Sequence, residues 1–207
     1  DKAEGLTVGE SLRRASGEGE ELMKILLACV LLATQLFSFG GAGGADGRGV
    51  EAQKEFFKNM KKLCGRKFEG ATDFPPDPAH PLAGKRLLMH VETCGEREIR
   101  IPFLVGEDRS RTWVLTMTPD GLLFKHDHRH EDGTPDRVTN YGGHASKDGN
   151  ASEQRFPADA FTANLIPEAK TNVWTMRIDE TQKRFMYYLE RDGSPRYRAY
   201  FDLGKPL

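Results

Sequence analysis

The chain has 207 residues, of which 38% are hydrophobic and 9% aromatic, and its formal net charge at pH 7 is −1. This balance excludes the strongly basic surface expected of a nucleic-acid-binding protein, and it gives no electrostatic reason to expect binding to a charged membrane. The 162 residues that follow Ala45 carry 26 basic and 25 acidic side chains. Their number is typical of one globular domain with a sizeable core.

Residues 23–45 have the pattern of an export signal. A positive charge at Lys24 precedes an apolar run that ends at Phe37, and small residues follow. This order is typical of a cleavable secretory signal, and the run is shorter than the roughly 20 residues that a membrane span needs. We therefore predict a signal peptide at 23–45, a mature domain at 46–207, no stable membrane span after cleavage, and a secreted or periplasmic location. An uncleaved N-terminal anchor is the alternative.

The first 22 residues are rich in Glu, Gly, Ser and Arg. They carry no apolar period from which a helix or strand would follow. We predict that residues 1–22 lie outside the fold, either as a disordered leader or as translated ribosome-binding sequence that precedes a true start at Met23.

Two of the three cysteines are expected to pair. Cys29 lies inside the predicted signal, so the mature domain keeps Cys64 and Cys94. In an oxidising compartment the simplest expectation for two cysteines is one disulfide. A redox pair and a metal thiolate site are the alternatives, although redox pairs usually have Cys-x-x-Cys spacing.

Hydrophobic periodicity divides the mature domain into one helix and many short strands. From Val50 to Leu63, Phe56 and Met60 recur at helical spacing. After Gly65 the apolar period changes to two, which is typical of strands. The predicted strands are 66–71, 86–93, 98–105, 111–118, 122–130, 137–141, 152–156, 172–179, 184–190 and 196–203.

The segment between the first two predicted strands contains four prolines from Pro75 to Pro81. Proline lacks the backbone donor that a sheet ladder needs, so this segment is predicted to be an ordered loop or lid. His80 lies within it, and we interpret His80 as a surface histidine.

No predicted helix separates the strands, which excludes a parallel βαβ sheet. About ten antiparallel strands with short turns favour a barrel over a two-sheet sandwich. The predicted fold is therefore mainly β: an antiparallel, lipocalin-like β-barrel of about 8–10 strands with one N-terminal helix.

Two resemblances accompany this fold prediction. A helix that leads into the Gly-x-x-Phe segment Gly65–Phe68, and then into a run of hairpins, resembles the lipocalin and fatty-acid-binding proteins, and this resemblance implies a barrel that holds a small molecule. Residues 125–136, with 156–159 and 172–174, are similar to segments of a group of small exported bacterial proteins of unknown function. The second resemblance implies no activity.

The densest polar cluster extends from His126 to Asp136 and contains three of the six histidines. Because side chains alternate along a strand, His126, His128 and His130 are expected on the same face as Leu122 and Phe124. That face is apolar and is predicted to point inward. An inward imidazole needs a partner, because an unpaired buried polar group costs about 1 to 3 kcal/mol.

Three hypotheses account for these histidines. His126 and His128 could bind a divalent transition metal, with His130 or His90 as a further ligand. Alternatively, the cluster is a structural network near a barrel mouth, in which Arg129 pairs with nearby carboxylates. In the third hypothesis the imidazoles hydrogen-bond a small ligand in the mouth of the barrel, where barrels usually bind their ligands.

The leading functional prediction is an exported protein that binds a small, partly apolar molecule. The alternative is a metal-binding protein or metal-dependent enzyme that uses the histidine cluster. No nucleophile elbow, phosphate loop or dinucleotide fingerprint occurs in the sequence, so the sequence assigns neither a reaction nor a cofactor beyond the metal of that alternative. The candidate ligand-binding residues are His90, Trp113, His126, His128, His130, Tyr141, Trp174 and Tyr187.

Overall fold

Residues 44–207 are described by a computed structural model. The predicted leader and almost all of the predicted signal peptide lie outside the described residues. The elements in chain order are α1 (Gly44–Lys61), β1 (Lys67–Phe74), β2 (Leu87–His90), β3 (Thr93–Cys94), β4 (Glu98–Val105), β5 (Asp108–Thr118), β6 (Gly121–His128), β7 (Tyr141–His144), β8 (Glu153–Pro157), α2 (Ala160–Leu165), a 3₁₀ turn (Pro167–Ala169), β9 (Asn172–Asp179), β10 (Arg184–Arg191) and β11 (Ser194–Asp202).

Within residues 44–207, all strand pairs are antiparallel and belong to one sheet of eleven strands. Ten strands follow one another in the order β7-β6-β5-β4-β2-β1-β11-β10-β9-β8, and β3 pairs with β4 beside this path. Strand β1 pairs with both β2 and β11 and so joins the first and last hairpins. This architecture confirms the predicted mainly β, antiparallel barrel with a helix on its N-terminal side, and it is compatible with a lipocalin-like barrel.

The two ends of the sheet, β7 and β8, meet and nearly close the barrel. The Ser146 backbone N–H donates to the Arg155 carbonyl at 2.8 Å. Gly143 in β7 has no room for a side chain, because a Cβ atom there would lie 1.9 Å from the carbonyl oxygen of Pro157. Glycine therefore permits the close backbone approach that this seam requires.

The short helix α2 completes the seam. Its N-cap residue, Asp159, donates its backbone N–H to the Gly142 carbonyl at 2.9 Å, and the Asp159 side chain accepts from the Thr162 N–H. The buried Thr162 hydroxyl donates to the Gly142 carbonyl at 2.8 Å and accepts from the Gly142 N–H at 2.7 Å. A side chain of α2 thus supplies hydrogen bonds that a neighbouring strand would otherwise supply.

Helix α1 packs across one end of the barrel. Phe56 and Met60 are fully buried, as their helical spacing predicted. The Gln53 side chain accepts from the Leu122 N–H at 2.9 Å and donates to the Ala145 carbonyl at 3.3 Å. These contacts close the barrel at the start of β6 and the end of β7.

The interior is one continuous core of apolar side chains that alternate with outward residues along each strand. Strand β4 shows this alternation most regularly, because Ile99, Ile101, Phe103 and Val105 are all buried. The predicted bounds 98–105 and 172–179 match β4 and β9. This agreement is expected where the period of two is uninterrupted.

Two local predictions were wrong, and one short helix was missed. Residues 137–141 are not a strand: the chain is irregular up to Asn140, which has φ 58°, and β7 begins at Tyr141. Strand β6 ends at His128 and does not extend to residue 130. Helix α2 was not predicted; at six residues it is too short to display an amphipathic period, although Asp159 is a recognisable N-cap residue.

Cys64 and Cys94 form the predicted disulfide, with their Cα atoms 6.2 Å apart. The bond ties the segment after α1 to β3. Within residues 44–207, no helix is both long and apolar enough to cross a membrane.

Candidate functional site

A half-open cavity of about 330 Å³ lies inside the barrel at the end opposite α1. We call it the mouth cavity. The connections 75–86, 106–107, 129–140 and 192–193 join strands at this end. The lining residues are His80, Pro81, Leu82, Phe103, Arg111, Trp113, His126, His128, Tyr141, Tyr187, Leu189 and Tyr197.

Strand β6 carries two of the predicted histidines into the mouth cavity. His126 and His128 share the face of Leu122 and Phe124, and both line the cavity. His126 is almost completely buried, whereas His128 is half-buried. The third histidine, His130, lies beyond the end of the strand and is exposed, so the prediction of three inward imidazoles is correct for two.

The two ring nitrogens of His126 each have one hydrogen-bond partner, an acceptor on one side and a donor on the other. Its Nδ1 lies 3.1 Å from the Tyr141 carbonyl oxygen, and its Nε2 lies 2.8 Å from the Tyr187 hydroxyl. A carbonyl can only accept, so Nδ1 carries the proton, and Nε2 accepts from the Tyr187 O–H. Burial lowers the pKa of His126 to about 3. The imidazole is therefore neutral at physiological pH.

His128 forms a second polar pair with Tyr141. Their Nε2 and hydroxyl oxygen are 3.0 Å apart. Burial, followed by the positive charge of Arg111, lowers the pKa of His128. Burial also raises the pKa of the Tyr141 hydroxyl to about 12, with Arg111 opposing this shift. Both groups are accordingly uncharged near neutral pH.

Arg111 is the one charged side chain among the residues that line the mouth cavity. It pairs with Asp108 at the start of the same strand. Burial favours the neutral form of Asp108, but hydrogen bonds from Ser110 and Arg111 outweigh burial and lower the pKa of this carboxyl to about 2. The guanidinium is thus neutralised by a carboxylate within the protein.

Aromatic rings form most of the cavity wall. Trp113 stacks on Phe103 with ring centroids 4.6 Å apart, and on Tyr187 with centroids 4.5 Å apart. His126 stacks on Tyr141 at 4.4 Å. These contacts fix the rings relative to one another, so the wall is preorganised before any ligand arrives.

The proline-rich segment contributes the outer part of the cavity. His80 stacks on Tyr197 with centroids 5.4 Å apart, and its Nδ1 accepts from the Leu82 N–H at 3.2 Å. The Leu82 carbonyl accepts from the Thr72 hydroxyl at 3.0 Å. The segment is the ordered loop or lid that the prolines predicted, but the interpretation of His80 as a mere surface histidine was wrong, because its ring is half-buried against Tyr197.

The remaining predicted site residues lie elsewhere. Trp174 is buried and packs against His126 at 5.2 Å between ring centroids, outside the cavity lining. His90 is on the outer face of β2, where its Nδ1 is 3.5 Å from the Glu92 carboxylate. His130 lies beside a charged outer cleft with Arg109, Glu131 and other residues. Neither His90 nor His130 is near the pair His126 and His128 in the mouth cavity.

The metal hypothesis receives no support from this arrangement. Among residues 44–207, no group of three His, Cys, Asp or Glu side chains is placed to hold an ion. Both ring nitrogens of His126 are already engaged by protein groups. A metal would have to displace the Tyr187 hydroxyl from His126.

The structural-network hypothesis describes the outer face of β6. Asp127 is buried there and pairs with Arg100 at 2.5 Å and Arg129 at 3.1 Å. Burial opposes ionisation of Asp127, but the two arginines outweigh it and lower the pKa of the carboxyl. Alternation along the strand thus separates an ionic network outside the barrel from neutral polar groups inside it.

Seven lining residues were not among the candidates: His80, Pro81, Leu82, Phe103, Arg111, Leu189 and Tyr197. The first three lie in the proline-rich segment and the other four lie on predicted strands, but a period of two does not reveal which strand ends border the same cavity. No family model matches this chain, and no curated protein has a significantly similar sequence.

Proposed function

We propose that the chain is an exported protein that binds a small, partly apolar molecule in the mouth cavity. The observation that carries this proposal is the cavity itself: an otherwise packed barrel leaves about 330 Å³ open at one end. Aromatic rings and hydrogen-bonding groups border it, and its one arginine, Arg111, is paired with Asp108. This volume is at the lower end of the roughly 300–1,000 Å³ typical of ligand pockets. A ring-sized molecule suits it better than a long lipid chain.

Export is supported by the sequence pattern at residues 23–45 and by the disulfide between Cys64 and Cys94. Disulfides persist in oxidising compartments. We therefore place the binding function in the periplasm or outside the cell.

The test is to purify the disulfide-bonded protein and to identify bound molecules by native mass spectrometry and solvent extraction. A variant that fills the cavity, Leu189→Trp, removes the space that the proposal needs. The matched control is Leu104→Trp, which places the same ring on the outer face of β4. We expect the first variant to lose the bound molecule and the control to retain it.

Equal retention by both variants would contradict the proposal, because the molecule would then be bound outside the cavity. An interior that takes up nothing from a mixture of small aromatic and aliphatic compounds would also contradict it.

A further inference from the structure

The direction of one hydrogen-bond chain determines what Tyr197 offers to the cavity. The Thr72 hydroxyl donates its proton to the Leu82 carbonyl at 3.0 Å. Because that proton is already used, the contact of 3.1 Å between Thr72 and Tyr197 must be made by the tyrosine O–H. Tyr197 is only 6% exposed, and within residues 44–207 no further donor reaches its oxygen. Its lone pairs are available in the cavity wall.

The Tyr187 hydroxyl, like that of Tyr197, donates its proton to another group of the protein. Its proton is donated to His126 Nε2, as the tautomer of that ring requires. Burial raises the pKa of the Tyr187 hydroxyl, so the phenol is not ionised near neutral pH. The lone pairs of its oxygen remain available as acceptors. Both of these buried hydroxyls thus act as acceptors toward the cavity, since neither has a proton left to donate.

The charge of the site disfavours an ionic ligand. Arg111 is already paired with Asp108. Burial lowers the pKa values of His126 and His128, and it raises those of the lining tyrosines, Tyr141, Tyr187 and Tyr197, so all five are uncharged near neutral pH. An ion that entered this aromatic cavity would lose its hydration without meeting a free counter-charge. A neutral molecule avoids that cost.

We infer that the ligand of the mouth cavity is an uncharged aromatic ring that carries an O–H or N–H donor, as phenols and indoles do. This inference rests on the proposed function and specifies its ligand class. The ring matches the stacked wall of Phe103, Trp113 and Tyr187. Its donor satisfies the lone pairs of Tyr197 and Tyr187.

Three probes of similar size test the inference. Phenol has the ring and the donor, anisole keeps the ring and the oxygen but lacks the donor, and benzoate carries a negative charge. Dissociation constants are measured by NMR titration of the oxidised protein near neutral pH. We expect phenol to bind roughly five-fold or more tightly than anisole, which is the effect of one hydrogen bond, and benzoate to bind more weakly than phenol.

Variants locate the effect at Tyr197. Tyr197→Phe removes the acceptor, so the preference for phenol over anisole is expected to fall toward one. Thr72→Val leaves the Tyr197 proton without its acceptor, so the tyrosine can donate to the anisole oxygen. The affinity for anisole is therefore expected to rise relative to the affinity for phenol. Tyr200→Phe, on the outer face of the same strand, is the control and keeps the wild-type ratio. Comparing two probes within one variant cancels any general effect on folding.

The inference is overturned by equal binding of phenol and anisole, by tighter binding of benzoate, or by the absence of saturable binding of all three probes. None of these outcomes contradicts the proposed function if Leu189→Trp still abolishes binding of an extracted molecule. If none of the three probes binds and Leu189→Trp also fails to abolish binding of an extracted molecule, the proposed function is contradicted as well.

Discussion

The neutral, buried state of His126 predicts how the stability of the protein depends on pH. The folded-state pKa is about 3, against 6.5 for the free side chain. Between these two values the unfolded chain binds a proton at this imidazole and the folded chain does not. The free energy of unfolding therefore decreases as the pH falls through this interval.

The size of the effect follows from one proton. Linkage gives about 1.4 kcal/mol per pH unit well below the unfolded pKa, so lowering the pH from 7.5 to 5 removes about 2 kcal/mol of stability through His126. Burial also lowers the pKa values of His128 and His90, so those two residues add to the total loss. The contribution of His126 is isolated by His126→Gln, whose amide does not titrate in this range.

The assay is urea unfolding of the oxidised protein at several pH values from 7.5 to 5. We expect the variant to lose about 2 kcal/mol less than the wild type over this interval, whatever its stability at neutral pH. Equal losses in the His126 variant and the wild type would refute the buried, neutral imidazole. Nitrogen NMR gives a direct check, because the Nδ1–H tautomer of His126 should persist at pH 5.

Two further changes test the barrel itself. Gly143→Ala places a methyl group 1.9 Å from a carbonyl oxygen of β8. This overlap is expected to lower the free energy of unfolding, measured by urea titration, by about 1–3 kcal/mol or more. The control is Gly47→Ala, where the added methyl meets nothing within 4 Å, and it should not lower the free energy of unfolding. Cys64→Ser opens a disulfide whose cysteines are 30 residues apart in sequence, which on the chain-entropy model costs roughly 3–4 kcal/mol. Adding a reductant should then destabilise the wild type but not this variant, and an equal response of the two would contradict the pairing.

Strand β6 shows which features sequence periodicity can predict and which it cannot. Alternation placed His126 and His128 on the inward face, since that relation depends only on neighbours along the strand. It could not show that the strand ends at His128. The end depends on the turn at 130–134, where the His130 N–H donates to the Thr134 carbonyl, and on the returning chain, where the Asp136 N–H donates to the His128 carbonyl.

The sequence by itself determined the fold class, the helix α1, most of the strands and the disulfide pair, because each rests on local periodicity or on a small number of cysteines. Only the tertiary structure decided the site. Tyr187 meets His126 across 61 residues of sequence, and Tyr197 meets Thr72 across 125. Such pairs depend on which strands become neighbours when the sheet curls and closes, and strand order is a property of the whole chain that no local pattern contains.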